Sequence, residues 1–302
     1  MVGSKPLLVL LLLIGNSCTV GSDRHTAPWF YVVAADPQLY MGQKDDAYWR
    51  ATVDGLNQLS PDFVIVCGDL IHGANEAKEW LSPTVMAQHE KLANDYLKVA
   101  SRLKVPLYNV AGNHDVALQP SPHTINWSTK RFGRPWYSFE HKNSLFLILE
   151  SNLIKDGAGA PAIAAQQWQW FLKTLQASSK RHYQHKTVYM HHPVCRERVD
   201  EDDDYFNLPK AKRFELLKLL HEHGFDAVFC GHFHRNAYVR DGKLELITTA
   251  SCCVPLGEDP RGLRIVKVFQ DRLDHSYHEI QKLPKAVRLN PSGHKTTESI
   301  SK

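Results

Sequence analysis

The chain has 302 residues, 43% of them hydrophobic and 23% charged, which is the composition of an ordinary globular protein long enough to bury a substantial core. A formal charge of +4 with both signs interspersed gives no footprint for nucleic acid or an anionic membrane, which are met by clustered Lys and Arg, so neither is an expected partner. The 17 histidines are a different matter, because several fall in pairs or beside Gly and Asp, and that pattern raises the question of metal ligation.

Lys5, the apolar run 7–14 and the small and polar residues up to Ser22 predict a secretory signal peptide over residues 1–22, and hence a secreted or luminal protein. The apolar run is about half of the roughly 20 residues needed to span hydrocarbon, so stable membrane insertion is not expected, an N-terminal anchor being the alternative. Short apolar runs then alternate with longer amphipathic stretches, which predicts a single α/β domain over residues 23–283. A buried strand over 30–35 breaks at Asp36-Pro37, and a helix over 46–59 leads to Pro61. The next strand, 63–67, ends at Gly68-Asp69. Helix fits 76–103, interrupted at Pro83, before a strand over 107–111 that runs into Gly112-Asn113-His114-Asp115.

A loop rich in Pro, Ser and Trp follows, and its Asn126-Trp127-Ser128 is a glycosylation sequon if the chain is secreted. Alternation over 136–140 and 145–149 predicts antiparallel strands. Residues 166–175 are helical, and a strand over 186–190 ends at His191. An acidic loop, 200–204, precedes an amphipathic helix over 210–223 that stops at Gly224. The strand 227–230 ends at Gly231-His232-Phe233-His234, strands over 244–249 and 263–269 complete the pattern, and 284–302 reads as a polar tail. Beyond the leader the cysteines are odd in number and lack zinc spacing. Cys67 and Cys230 end apolar runs and read as buried thiols. Cys252 and Cys253 are adjacent and poorly placed to bond each other, so each either pairs elsewhere, Cys195 being the partner considered for one of them, or stays free.

Five separate strands thus end at a residue able to bind a metal: Asp36, Asp69, Asn113, His191 and His232. Strand carboxyl ends gather at one edge of such sheets, so these positions are expected to meet in space. Taken alone, Asp36 before Pro37 is an ordinary turn residue. Two His at i and i+2 directly after a strand, His232 and His234, are harder to read as solvated loop residues. Of the adjacent pair His191 and His192, the first directly follows its strand and is the one expected to face the site.

In this order the motifs resemble those of the calcineurin-like metallophosphoesterase family, D-x-H, GD, GNH[DE], H and GHxH, from Asp36 to His234. The resemblance implies a four-layered αββα sandwich and two divalent metal ions. One ion would be held by Asp36 and His234, the other by Asn113, His191 and His232, with Asp69 bridging both. It further implies that His114 acts beside the metals as an acid or phosphate donor and that Asp115 orients it. The mixed carboxylate, imidazole and amide set suits Mn, Fe or Zn better than Ca. Gln38 stands where the family pattern has His, a weaker neutral ligand. Together with the sequence around residues 68–72, 200–208 and 231–237, it is similar to the subgroup of calcineurin-like phosphoesterase domain-containing protein 1, a serine/threonine-protein phosphatase. Purple acid phosphatases place a Tyr where this chain has His72.

The implied activity is hydrolysis of a phosphomonoester, on a phosphoprotein or small phosphoester, by direct attack of a metal-activated water on phosphorus. Alternatives are a phosphodiesterase on nucleotides or lipids, or a phospho-ligand binding protein whose first metal site is impaired by Gln38. Two further residues are candidates for substrate binding. Arg235 offers a bidentate guanidinium to phosphate, and Asn207 approaches from the acidic loop, which itself reads either as a solvated segment or as a lip favouring basic peptides.

Overall fold

The computed structural model describes residues 27–40 and 45–290; the expected leader, 1–22, and the last part of the polar tail lie outside the described residues. The first half of the chain contributes β1 (Trp29–Ala34), α1 (Asp45–Leu59), β2 (Val64–Cys67), α2 (Pro83–Ala100), β3 (Leu107–Val110), α3 (Asn113–Val116), α4 (Pro122–Phe132), β4 (Tyr137–His141) and β5 (Ser144–Ile148). The second half contributes α5 (Ser151–Lys155), α6 (Pro161–Ser178), β6 (His185–Tyr189), α7 (Lys210–Glu222), β7 (Ala227–Cys230), β8 (Ala237–Asp241), β9 (Leu244–Thr248), β10 (Gly262–Val268) and β11 (Leu273–Glu279).

These strands form a five-stranded sheet in the order β11-β10-β1-β2-β3 and a six-stranded sheet in the order β4-β5-β6-β7-β9-β8. β1, β2 and β3 are mutually parallel, as are β5, β6, β7 and β9. Side chains alternate across a strand, and here both faces are buried, which is why the runs are apolar throughout. Tyr31, Val33 and Ile65 meet Phe146, Ile148, Tyr189 and Phe229 between the sheets. Val32, Ala34, Val64 and Val66 face the opposite way, onto Trp49, Val53 and Leu56 of α1 and Leu92 and Tyr96 of α2. On the far side Leu145, Leu147 and Val228 pack against Phe171 and Leu175 of α6 and Leu216 and Leu220 of α7. The result is the four-layered αββα sandwich expected, as a single domain.

Several local expectations need correction. The helix expected over 76–103 is interrupted at Pro83 as read, because proline holds the preceding Ser82 extended (φ −74°, ψ 124°) and is itself well placed at the first helical position, but the stretch before it holds only a 3₁₀ turn over Glu79–Leu81. The Pro- and Trp-containing loop is largely the helix α4, capped by Ser121, whose Oγ accepts the Thr124 N–H at 3.2 Å. The sequon Asn126 therefore lies on an exposed helical position and not in a loop. Strands β8 and β11 were not anticipated; both are sheet edges with few buried positions. Cys195, Cys252 and Cys253 are free buried thiols, as are Cys67 and Cys230, so the considered disulfide is not formed. Val287, beyond the expected domain boundary, packs on the α1/α2 layer. Among the described residues no helix is long and apolar enough to cross a membrane.

Candidate metal centre

Asp36, Asp69, Asn113, His191 and His232 stand just past the carboxyl ends of β1, β2, β3, β6 and β7, and all five are buried. The two sheets are tied at this edge. The His232 N–H donates across to both carboxylate oxygens of Asp36 (3.0 and 3.1 Å), while within each sheet the Asp36 N–H donates to Gly68 O (3.1 Å) and the Gly231 N–H to His191 O (3.0 Å). Turning the side chains inward requires sharp reversals. Asp36, Gln38, Asp69, His232 and His234 all have positive φ, between 41° and 65°. Such conformations cost a non-glycine residue about 1–3 kcal/mol each and persist only where the surroundings impose them. A Cβ on Gly68 would fall 2.2 Å from His191 Nδ1, and one on Gly112 would fall 2.2 Å from Asp69 Oδ1, so these glycines give two of the candidate ligands their space.

The side chains form two sets, Asp69 with His191 and His232, and Asp36 with Asp69 and His234, in each of which the donor atoms lie within 4.8 Å of one another. Asp69 is common to both. His191 Nε2 is 3.3 Å from Asp69 Oδ1 and 3.0 Å from Asn113 Oδ1, which adds Asn113 to the first set. His234 Nε2 is 3.6 Å from Asp36 Oδ1. Each imidazole is steadied by a backbone carbonyl: His191 Nδ1–H donates to Cys67 O (2.9 Å), His234 Nδ1–H to Val254 O, and His232 Nε2–H to Tyr205 O (3.2 Å). A ring anchored through one nitrogen presents the lone pair of the other, the usual arrangement of metal-binding histidines. Gln38 is buried, its backbone N–H donates to Asp69 O (2.7 Å), and its Oε1 has no hydrogen-bond partner. An acceptor left so is costly, and a cation satisfies it.

The electrostatics agree. Burial pushes the Asp36 carboxyl up, against the pull of His234 and His191. Asp69 is equally buried, yet His191 and His114 hold its carboxyl well below the usual range. Burial works against charge on His191, but the Asp69 and Asp36 carboxylates outweigh it and hold the ring at about 10. A cation at His191 therefore competes with a proton.

The remaining candidates divide. His114 is in the centre: its N–H donates to Asp69 Oδ1 (2.9 Å) and its Nδ1–H to Gly73 O (2.8 Å). Asp115 does not orient it. Its carboxylate accepts from the N–H groups of Gly112 (2.8 Å), Leu70 (3.0 Å) and Ile71 (3.2 Å), and so clamps the loop that carries Asp69. Replacing Asp115 with alanine would leave three buried amides without an acceptor, at about 1–3 kcal/mol for each such group. Urea titration of Asp115→Ala should therefore show a loss of about 3 kcal/mol or more in unfolding free energy; a loss below about 1 kcal/mol would contradict the clamp.

Asn207 is spent inside its own loop, donating to Glu201 Oε1 (2.7 Å) and Asp202 O (2.9 Å) and accepting the Asp204 N–H (2.9 Å). The acidic segment is built rather than merely solvated, since Glu201 also accepts the N–H groups of Arg196, Glu197 and Arg198. Arg235 is exposed, its guanidinium lying over Phe233 at 5.3 Å. His192 belongs to neither donor set; its Nδ1 meets Ser151 Oγ (2.9 Å) and its ring packs on His232, with centroids 4.3 Å apart. Sequence reasoning missed Tyr205, whose carbonyl holds His232, and Ser251, whose Oγ–H donates to Asp36 O (2.6 Å). Backbone carbonyls leave no signal in residue type, but Ser251 beside two cysteines after a strand could have been flagged.

The family model described as calcineurin-like phosphoesterase matches residues 22–236. The serine/threonine-protein phosphatase CPPED1 of Homo sapiens is 33% identical to this chain over 274 residues, 85% of each, and that of Rattus norvegicus is 32% identical over 277 residues, 86% of each. Among solved structures, a dimetal phosphatase from Danio rerio is similar in fold, with a TM-score of 0.61 at 14% identity over 83% of this chain and 96% of its own.

Proposed function

This chain belongs to the calcineurin-like phosphoesterase family, and on that premise we propose that it is a metal-dependent phosphomonoesterase acting on phosphoserine or phosphothreonine. The observation that carries the reading is the pair of donor sets sharing Asp69. The names of the relatives, serine/threonine-protein phosphatases, support the substrate class. Asp36, Gln38 and His234 would hold one cation, Asn113, His191 and His232 the other, and Asp69 both; Mn, Fe or Zn suits such mixed donors. Bound there, divalent cations supply neutralisation of the phosphoryl charge and a more acidic water nucleophile.

The protein's own groups do the rest. His114, whose Nδ1–H donates to Gly73 O, would as the imidazolium carry a second N–H on Nε2 to donate to a phosphoryl oxygen or to the departing alkoxide. A cleft of about 440 Å³, lined in part by Tyr40, His72, Gly73, Asn75 and Glu79, lies beyond the His72 ring and the Gly73 carbonyl that contact His114, and would give the alcohol part of a substrate room. On the opposite side Tyr205 and Phe206 cover His232, with ring centroids 4.9 and 5.6 Å away. The composition of residues 1–22 supports export, and exposure of Asn126 on α4 supports its glycosylation.

Protein recovered from the medium of expressing cells is the material for the test, with an N-terminus near Asp23 and a mass that falls on endoglycosidase treatment expected. Given Mn, it should hydrolyse p-nitrophenyl phosphate and a phosphoserine peptide faster than bis(p-nitrophenyl) phosphate. A faster diester would overturn the monoesterase reading, and no turnover with Mn, Fe or Zn would leave a binding protein. Retention of the protein inside the cells with its leader intact would overturn export.

A further inference from the structure

Gln38 is 4% exposed, two residues beyond Asp36, and its backbone N–H donates to Asp69 O at 2.7 Å. Its side-chain amide has two ends of nearly equal shape and opposite chemistry. Only the oxygen binds a cation, and an amide with nothing to distinguish its ends turns over at little cost. In this protein the ends are distinguished. Nε2 lies 3.1 Å from Nδ1 of His72, while Oε1 is buried without a hydrogen-bond partner. With the amide set this way, Nδ1 of His72 is the acceptor and the ring proton sits on its Nε2. Turned over, the amide would set its oxygen against that lone pair, and only a shift of the ring proton from Nε2 to Nδ1 would relieve it.

The acceptor itself cannot swing aside. The His72 ring is stacked between Tyr40, with centroids 4.1 Å apart and planes at 26°, and His114, at 4.4 Å and 30°. His72 belongs to neither donor set among the described residues. We infer that His72 is a positioning residue, which fixes the Gln38 amide with Oε1 toward the cation shared by Asp36 and His234. The inference rests on the reading of those residues as ligands. It answers the weakness of a neutral amide ligand, since a preset orientation removes the choice between binding and non-binding ends.

The test is calorimetric titration of the chelator-stripped full chain with Mn, a readout independent of turnover. His72→Phe keeps an aromatic ring between Tyr40 and His114 and removes the acceptor. One of the two Mn equivalents should weaken about 10–100-fold, the usual cost of losing the group that orients a ligand, and the other should hold. Gln38→His supplies a ligand nitrogen with no amide to orient, so adding His72→Phe in that background should have no further effect on Mn affinity. His72→Gln, which returns a carbonyl acceptor, should restore most of the loss and keeps the test open if the phenylalanine variant folds poorly. Equal losses in both backgrounds, an equal loss at both equivalents, or no loss in His72→Phe would overturn the inference while leaving the metal centre intact. Failure of the unaltered chain to bind two equivalents would overturn the centre and the inference together, whereas two equivalents without hydrolysis would count against the enzyme alone.

Discussion

Asp69→Ala is expected to lower kcat/KM for p-nitrophenyl phosphate by about 10³-fold or more, since metal stabilisation of the transition state is worth several kcal/mol and each 1.36 kcal/mol is tenfold. Among the described residues Asp69 is the one side chain that belongs to both donor sets. Its effect should exceed that of removing Asp36 or His234, each of which touches one set. Asp69→Asn is the sharper variant. It keeps an oxygen to accept the His114 N–H, a bond of 2.9 Å, and so preserves the local fold while removing the charge. A protein that remains folded yet has lost most of its Mn-dependent activity is the expected result. Activity within tenfold of the unaltered chain would mean that the carboxylate is not shared.

His114→Ala should lower kcat on a phosphoserine peptide by about 10²–10⁴-fold, the usual contribution of a positioned general acid. The reason is geometric: Gly73 O fixes Nδ1, the stack on His72 at 4.4 Å fixes the ring plane, and Nε2 is the atom left to act. The loss should be much smaller on p-nitrophenyl phosphate, whose leaving group departs without a proton. Measuring kcat across leaving groups of rising pKa therefore separates two roles. A loss that grows with leaving-group pKa assigns proton donation, and an equal loss on all substrates assigns contact with the phosphoryl oxygens.

The positions of the metal-centre residues were legible in the sequence because each follows a short, mostly apolar run that ends at a turn signal and reads as a strand. Asp36, Asp69, Asn113, His191 and His232 then reach one edge through the parallel pairing of those strands. What was not legible was which way a polar side chain turns once there. Asp115 sits beside His114 in sequence, yet its carboxylate meets the amides of Leu70 and Ile71, 45 and 44 residues away, which only the finished fold brings close. Asn207 was expected at the phosphate, but the backbone groups of its own acidic loop satisfy its amide first. The start of α4 at Ser121-Pro122 follows from proline and capping chemistry and could have been read, as the break at Pro83 was. The edge strands β8 and β11 could not, since short, half-exposed segments with charged residues carry little periodicity.

The most direct measurement is anomalous diffraction from crystals of the full chain grown with Mn. Two peaks about 3.5–4 Å apart, the separation of paired-metal hydrolases, are expected on either side of the Asp69 carboxylate, one toward Asp36 and His234 and the other toward Asn113, His191 and His232. A single peak, or peaks away from Asp69, would contradict the shared centre on which the account depends.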